Sequence, residues 1–168
     1  MHVCYISFMN EETVAFLPVY VAGIITKDDC VCFQLNDENT LQFPGLKLEA
    51  NSLSSPKSTI RNYLSNNLHF FIKSYWLRWV GITHHVSDTD EFLVSHFHLN
   101  MNFLSEYIIE NFDYDEWIPE KAGLIPVQIE DITKDSNFFQ SDILAVNKVK
   151  CLLNYSNTKK IKNEIMME

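Results

Sequence analysis

The strongest constraint on the fold is a succession of short apolar segments that amphipathic segments interrupt. Runs rich in Val, Ile and Phe recur along the chain, and polar turns such as 27–29, 36–39 and 87–90 separate them. This pattern is typical of β-strands joined by short turns. It predicts six strands, at 13–26, 30–35, 40–43, 70–86, 91–99 and 122–129. Segment 46–49 is predicted to be a further strand or an irregular loop.

Three other segments carry helical signals. Ser54 or Ser55 can cap a helix at Pro56, because the missing N–H of a proline costs nothing in the first helical turn. Apolar residues then recur at helical spacing and give one apolar face: Ile60, Tyr63, Leu64 and Leu68. Similar spacing predicts a helix at 102–112, and Ser141 begins a last predicted helix.

The order of these segments indicates the fold class. Strands joined by short polar turns pair antiparallel, and the interspersed helices cover the faces of the sheet. The predicted class is therefore α/β (α+β), with a mixed, largely antiparallel sheet. A length of 168 residues suits one domain, which we predict at 1–147 with its core at about 13–132. Residues 148–168 are predicted to be the end of the last helix and a basic tail.

The net charge of −9 is unevenly distributed along the chain. Segment 148–168 has five lysines and two glutamates, a net of +3, so the remainder carries −12. Such an acidic body argues against a protein that coats nucleic acid, because that function needs a cationic surface. The N-terminus lacks a basic segment followed by an apolar one, and no apolar run is long enough to span a bilayer. We therefore predict a soluble, cytoplasmic protein without membrane contact.

Segment 43–49 reads Phe-Pro-Gly-Leu-Lys-Leu-Glu, and the capped helix that contains Arg61 follows it. This order resembles the Nudix box, which runs roughly (L/F)PGGKxExGE and then, on a helix, REUxEExGU. The order of strands around it is similar to that of the Nudix proteins over about residues 13–132. The resemblance implies a Nudix-like α/β/α sandwich.

The residues that carry the chemistry of that family are replaced in this chain. Leu46 stands at the second glycine, and the four glutamate positions hold other residues: Ser52, Asn62, Ser65 and Asn66. In Nudix hydrolases these glutamates bind divalent cations that bridge a diphosphate. Amide and hydroxyl oxygens bring no negative charge, so they make a poor Mg²⁺ site beside a polyanionic ligand. The resemblance therefore implies a degenerate Nudix domain with no cofactor and no catalytic residues.

We accordingly expect a pseudoenzyme, a catalytically inactive Nudix-fold protein that binds a protein, a nucleotide or RNA. Glu49 and Arg61 are the ligand-binding candidates that remain in the box, where Arg61 either holds a ligand phosphate or pairs with an acid such as Glu49. A protein partner or a homodimer is expected. A nucleotide or RNA would bind at a local site or at the basic segment 148–162, which carries Lys148, Lys150, Lys159, Lys160 and Lys162.

Two other functions stay open at this point. One is an active Mg²⁺-dependent pyrophosphohydrolase of a nucleoside diphosphate derivative with displaced acidic ligands, for which Glu49 would act with Glu116 or Glu120. The other is a histidine metalloprotein, because imidazoles at i and i+2 on a strand can share one metal ion. Its candidate ligands lie on either side of the turn at 87–90: His85, His96 and His98.

The hairpin around that turn gives a testable geometry for the histidines. If it folds symmetrically, residue 85 pairs with 92, 81 with 96, and 79 with 98. His85, His96 and His98 then share one face of the sheet, and His84 points to the other. His85 would still lie roughly 13 Å along the strand from the other two, so one ion would need a further ligand from elsewhere.

Overall fold

The computed structural model describes residues 7–10, 13–49, 53–104, 117–132, 138 and 140–165. Its strands are β1 (Ser7–Asn10), β2 (Thr13–Phe16), β3 (Val19–Lys27), β4 (Cys30–Leu35), β5 (Leu41–Gln42), β6 (Gly45–Lys47), β7 (Leu77–Val86), β8 (Glu91–Asn100) and β9 (Ile125–Gln128). Its α-helices are α1 (Pro56–Leu68), α2 (Met101–Leu104), α3 (Ile129–Ile132) and α4 (Gln140–Ile165). Short 3₁₀ helices cover Ser74–Trp76 and Pro119–Ala122.

Seven of the described strands form one mixed sheet. The neighbours are β5, β4, β3, β8 and β7 in that order, while β6 also pairs with β3 and β9 with β4. β3 and β8 run parallel, and the other pairs are antiparallel. β1 and β2 form a separate antiparallel hairpin. The predicted class, an α+β fold with a mixed and largely antiparallel sheet, is therefore confirmed.

A hydrophobic core lies on each face of this sheet. On one face, α1 packs through Ile60 and Leu64 against a cluster that includes Val21 and Phe97. On the other face, the cluster includes Phe33 of β4 together with buried residues of α4, namely Ala145, Val146 and Val149. Successive residues of the central strands point alternately to these two cores, so the sheet is the middle layer of a sandwich.

Helix α1 begins where its sequence predicts. The Ser55 hydroxyl accepts the N–H of Ser58 at 3.2 Å, and Pro56 occupies the first turn. The apolar face is buried through Ile60, Leu64 and Leu68. The helix then ends at His69, which adopts the left-handed conformation with φ of 59°. Helices commonly end at a residue in this conformation.

Several predicted segments have different bounds in the structure. Segment 13–26 is not one strand, because Pro18 separates β2 from β3; a proline has no N–H to give to a strand neighbour. Segments 70–86 and 122–129 each include a 3₁₀ helix before the strand begins. Only α2 of the predicted helix at 102–112 is described, and the rest lies outside the described residues. Helix α4 runs without a break through residue 147, and the division of the chain there stays a prediction.

The β7–β8 hairpin departs from perfect symmetry at one place. Residues 85 and 92 pair as predicted, and so do 81 and 96, but a bulge between Trp79 and Gly81 makes Trp79 pair with Phe97. The predicted pairing of 79 with 98 is therefore wrong by one residue, since a bulge inserts an unpaired residue into one strand. None of the described helices is long and apolar enough to cross a membrane.

Candidate functional site

The helix positions that the resemblance to the Nudix box assigns to glutamates lie on the outer side of α1. Asn62 and Asn66 are exposed, while Ser65 is half-buried. The Ser65 hydroxyl accepts the backbone N–H of Ile72 at 3.0 Å, so it fixes the chain that leaves the helix. Two amides and a hydroxyl that is already bonded make a poor donor set for Mg²⁺, which favours carboxylate oxygens. This face of α1 does not fit a magnesium ion.

Arg61 is directed towards its neighbour on the helix. Its Nε and Nη2 groups donate to the Asn62 side-chain oxygen at 3.3 and 3.1 Å. No carboxylate of the described residues lies within ion-pair distance of the guanidinium, so the predicted alternative of a pair with Glu49 is not present. Arg61 remains a candidate for holding a ligand anion.

The acidic candidates are spread over the chain. Glu49 and Glu120 are exposed, whereas Ser52 and Glu116 lie outside the described residues. Within the described part of the chain, no group of three or more His, Cys, Asp or Glu side chains could hold a metal ion. The structure therefore does not bring Glu49 and Glu120 into a described metal site.

The histidines of the β7–β8 hairpin have separate surroundings. His96 bonds through Nε2 to the Thr83 hydroxyl at 2.8 Å, and His98 bonds through Nε2 to Thr26 at the same distance. His85 stacks on Phe92, with 4.4 Å between the ring centres. All three are buried on the face where they were predicted, but they do not converge on one point.

Burial also sets the protonation of the two central histidines. It lowers the pKa of His96 to about 4, and the nearby Lys148 ammonium acts in the same direction. Burial lowers the pKa of His98 to about 4 as well, with a smaller contribution from Arg78. Both rings are therefore neutral near pH 7, and each has a threonine hydroxyl as the partner of its Nε2 atom. The Nδ1 atom of His96 is buried and has no hydrogen-bond partner within the described part of the chain.

The Phe-Pro-Gly motif is held tightly against β3. The Pro44 carbonyl accepts the Gly23 N–H at 2.8 Å, and Gly45 pairs with Ala22. A Cβ atom on Gly45 would lie 2.3 Å from the Val21 carbonyl oxygen. Only glycine permits this approach, because any side chain would overlap the backbone of β3. The motif thus serves as a fixed wall beside the sheet.

A pocket of about 440 Å³ opens next to this wall. Its rings come from distant parts of the chain, namely Tyr20 of β3, Phe43 of the motif and Phe92 of β8. Tyr20 and Phe92 contact each other, with 4.9 Å between ring centres. Its polar groups are Asn36, Gln42, His85, Asp90 and Asp142. Aromatic walls with a few polar groups are the usual composition of a small-molecule site.

Asp142 is the most unusual of these polar groups. It lies in the first turn of α4, is 9% exposed, and makes no hydrogen bond or ion pair within the described part of the chain. Burial raises the pKa of its carboxyl group to about 7. An unpaired buried carboxylate is costly, and a carboxyl group with a raised pKa that lines a pocket is a candidate for contact with a ligand. Asp142 can accept a hydrogen bond when ionised and donate one when protonated.

A larger cleft of about 730 Å³ lies at the other end of β3. Its charged rim is mainly acidic, with Asp28, Asp29, Glu130 and Asp131 against Lys150. Such a rim repels phosphate, and the cleft does not touch the Phe-Pro-Gly motif. We therefore favour the smaller pocket as the candidate functional site, although its volume is lower.

Sequence reasoning did not identify this pocket. Tyr20, Phe43, Asp90, Phe92 and Asp142 are not among the candidate site residues that the sequence indicates. An aspartate in the first turn of a helix has an ordinary explanation in the helix dipole. The one sequence signal for this pocket is that Phe43 lies two residues before Gly45 of the motif. This spacing places the Phe43 ring next to any ligand that the motif contacts.

The fold is similar to that of solved Nudix proteins. MutT, a Nudix family hydrolase from methicillin-resistant Staphylococcus aureus 252, is 19% identical with a TM-score of 0.53, over 79% of this chain and 95% of that chain. The MutT NUDIX hydrolase from Burkholderia pseudomallei is 10% identical with a TM-score of 0.56, over 80% and 99%. The NUDIX domain of Shewanella oneidensis NrtR, solved with ADP ribose, is 10% identical with a TM-score of 0.56, over 86% and 94%.

These similarities establish the class of protein at the level of the fold. The chain has a Nudix-like fold. No protein-family model matches the sequence, and no curated protein matches it. Activity and ligand must therefore be argued from the residues of this chain.

Proposed function

We propose that this protein binds a nucleotide-like ligand in the 440 Å³ pocket and does not hydrolyse it. The observation that carries the proposal is Asp142, a buried carboxyl group that has no partner among the described residues and lines a pocket of aromatic rings beside the Phe-Pro-Gly motif. Of the three partner classes that the sequence leaves open, a nucleotide suits this pocket best, because a nucleobase is planar and carries N–H groups.

The composition of the pocket supports a base-bearing ligand. Tyr20, Phe43 and Phe92 offer ring surfaces on which a base can stack, an interaction worth about 1–3 kcal/mol per base. Asp142 would pair with the N–H edge of that base and so remove the cost of its burial. A long RNA is less suitable, since Asp90 and Asp142 line the same pocket and the chain carries a net charge of −9.

The state of α1 supports binding without hydrolysis. Phosphoryl transfer in a metal-dependent enzyme needs a cation to neutralise the charge that develops on phosphate. Here Asn62 and Asn66 are neutral, and the Ser65 hydroxyl is engaged with Ile72. A diphosphate could bind near Arg61 without a metal, but no group of the described residues would activate water for attack on it.

Calorimetry with a panel of nucleotides tests the ligand. ADP ribose is the first compound to try, because the NrtR domain was solved with it; AMP, ADP and the free ribose phosphate complete the panel. We expect binding of the base-bearing compounds only, and at least about a tenfold loss of affinity in Phe92→Ala and in Asp142→Ala. Asp131→Ala, in the acidic cleft, is the matched control and should bind like the parent. Equal binding by all four proteins, or none, contradicts the pocket assignment.

Product analysis tests the absence of hydrolysis. Incubation of the parent protein with the same compounds and Mg²⁺ should release no nucleoside monophosphate above the protein-free rate. The triple variant Asn62→Glu, Ser65→Glu, Asn66→Glu should gain measurable Mg²⁺ binding, because it restores three carboxylates to one helix face. Hydrolysis by the parent protein would refute the proposal that the ligand is bound without turnover. Unchanged Mg²⁺ binding in the triple variant would count against the alignment of the Nudix box.

A further inference from the structure

β7 is an edge strand with an apolar outer surface. It ends the strand order of the sheet, and β8 is its only strand partner among the residues that the structure describes. Trp79, Ile82 and Val86 are 58%, 44% and 66% exposed. An edge strand presents unpaired N–H and C=O groups to an approaching strand, so proteins usually protect it. A surface of this kind therefore favours pairing with another strand.

The usual protection of an edge strand is weak in β7. Its ten residues include no proline and no lysine, which are the common residues at protected edges. One protective feature is present, the bulge between Trp79 and Gly81. The rest of the strand, from Ile82 to Val86, pairs with β8 in continuous register. This half of β7 has the regular geometry that a further strand requires.

The charges around β7 favour a second copy of the same strand as the partner. Arg78 lies at the beginning of the strand and Lys73 shortly before it, whereas Asp88 and Asp90 lie in the turn that follows its end. Antiparallel pairing about a twofold axis within the regular half, residues 82–86, would place the basic end of each copy beside the acidic turn of the other. Parallel pairing would instead bring like charges together.

The strand itself offers apolar area to a dimer. Trp79, Ile82 and Val86 together leave on the order of 300 Å² of side chain in water, while a standard interface takes about 800 Å² from each partner. The backbone edge and polar groups at the rim supply the remainder in an interface of this size.

We propose that the protein forms a twofold homodimer in which β7 pairs antiparallel with β7 of a second copy. The axis lies within residues 82–86, so that Ile82 of each copy faces Val86 of the other. The two sheets then form one continuous sheet across the dimer. This inference does not depend on the nucleotide proposal, because it rests on the strand edge and not on the pocket.

Sedimentation velocity on the full chain tests the dimer. The parent should sediment at twice its monomer mass of 19.6 kDa at concentrations up to about 0.1 mM, where interfaces of this class associate. Ile82→Lys and Val86→Lys should each be monomeric, because each variant buries a lysine against an apolar side chain of the other copy. Leu144→Lys is the matched control, since Leu144 is a similarly exposed apolar residue on α4, and it should remain dimeric. Circular dichroism confirms that each variant is folded.

Two outcomes would overturn the proposal. A monomeric parent at about 0.1 mM excludes a dimer of useful affinity, and a dimer that survives both lysine variants must use another surface. A charge exchange tests the orientation separately. Arg78→Glu alone and Asp88→Lys alone should weaken association by about threefold to tenfold, and the double variant should recover most of the loss. Failure of recovery would exclude the antiparallel arrangement.

Discussion

Ser65 lies at one of the positions that the resemblance to the Nudix box assigns to a glutamate, and its hydroxyl hydrogen-bonds to the backbone. It accepts the N–H of Ile72, which is fully buried, and so directs the chain from α1 to the strands that follow. The Asn62 side-chain oxygen likewise accepts hydrogen bonds from the guanidinium of Arg61. At the scale of single residues, Ser65 and Asn62 therefore have structural hydrogen-bond partners.

Replacing Ser65 tests this structural role. Ser65→Ala leaves the buried N–H of Ile72 without an acceptor, so we expect the free energy of unfolding to fall by about 1–2 kcal/mol. Asn66→Ala changes an exposed side chain on the same helix and should alter stability by less than about 0.5 kcal/mol. Urea unfolding followed by circular dichroism measures both values. Equal effects of the two substitutions would show that the bond contributes nothing.

Asp142 should reduce stability at neutral and alkaline pH. Its pKa is raised from 3.8 to about 7 in the folded protein, so the folded state binds the proton more tightly, and this contribution is lost as pH rises from about 4 through 7. Asp142→Asn removes the charge, and at pH 8 we expect it to be more stable than the parent by roughly 2 kcal/mol. At pH 4 the two proteins should be alike. Urea unfolding at both pH values measures the difference, and a variant less stable than the parent at pH 8 contradicts it.

At the scale of elements, the Phe-Pro-Gly motif shows how a short sequence depends on its neighbour. Gly45 allows β6 to approach β3 so closely that an added Cβ would overlap the Val21 carbonyl oxygen. The backbone angles of Gly45 do not by themselves require a glycine. Gly123, in contrast, has a positive φ of 70° and open space around it. The two glycines are therefore needed for different reasons, one for close packing and one for a turn.

This difference predicts unequal effects of alanine substitution. Gly45→Ala should lower the free energy of unfolding by about 3 kcal/mol and weaken ligand binding, because β6 and the pocket wall must move away from β3. Gly123→Ala should cost about 1 kcal/mol through its backbone conformation and leave ligand affinity unchanged. Thermal unfolding and calorimetry give the two readouts. Loss of ligand binding in Gly123→Ala, or unchanged ligand binding in Gly45→Ala, would show that the pocket does not depend on the position of β6.

Elements whose signals are local were predicted well. α1 begins at Pro56 because the cap and the proline act within one turn, and β4 has the predicted bounds because its apolar run is flanked by polar turns. The hairpin register failed beyond Gly81, where a bulge shifts the pairing by one residue. A bulge depends on packing between strands and here coincides with a glycine beneath the Lys148 amine. Such a contact joins residues far apart in the sequence.

At the scale of the whole molecule, buried titratable groups should govern the response to acid. His96 and His98 are neutral in the fold, with pKa values lowered from 6.5 to about 4. The unfolded chain therefore takes up protons first, and stability present above pH 6.5 is lost as pH falls through about 4. Asp142 acts in the opposite direction over the same interval. With two histidines against one aspartate, the net effect of acid is destabilising.

A pH series of urea unfolding checks this balance. The free energy of unfolding of the parent should fall between pH 6.5 and pH 4, and it should fall more steeply in Asp142→Asn, where the opposing group is gone. A parent whose stability rises towards pH 4 would contradict the neutral state of the two buried histidines.

The sequence by itself determined the capped helix α1 and most of the strands, and it carries the resemblance to the Nudix box. The helix and the strands follow from composition and spacing within about ten to twenty residues, where turn chemistry and periodicity act. Only the tertiary structure decided where a ligand would fit. Tyr20, Phe43, Phe92 and Asp142 come from four separate segments, and the burial that raises the pKa of Asp142 exists only once those segments pack together. Local patterns specify elements, whereas a pocket is a property of their assembly.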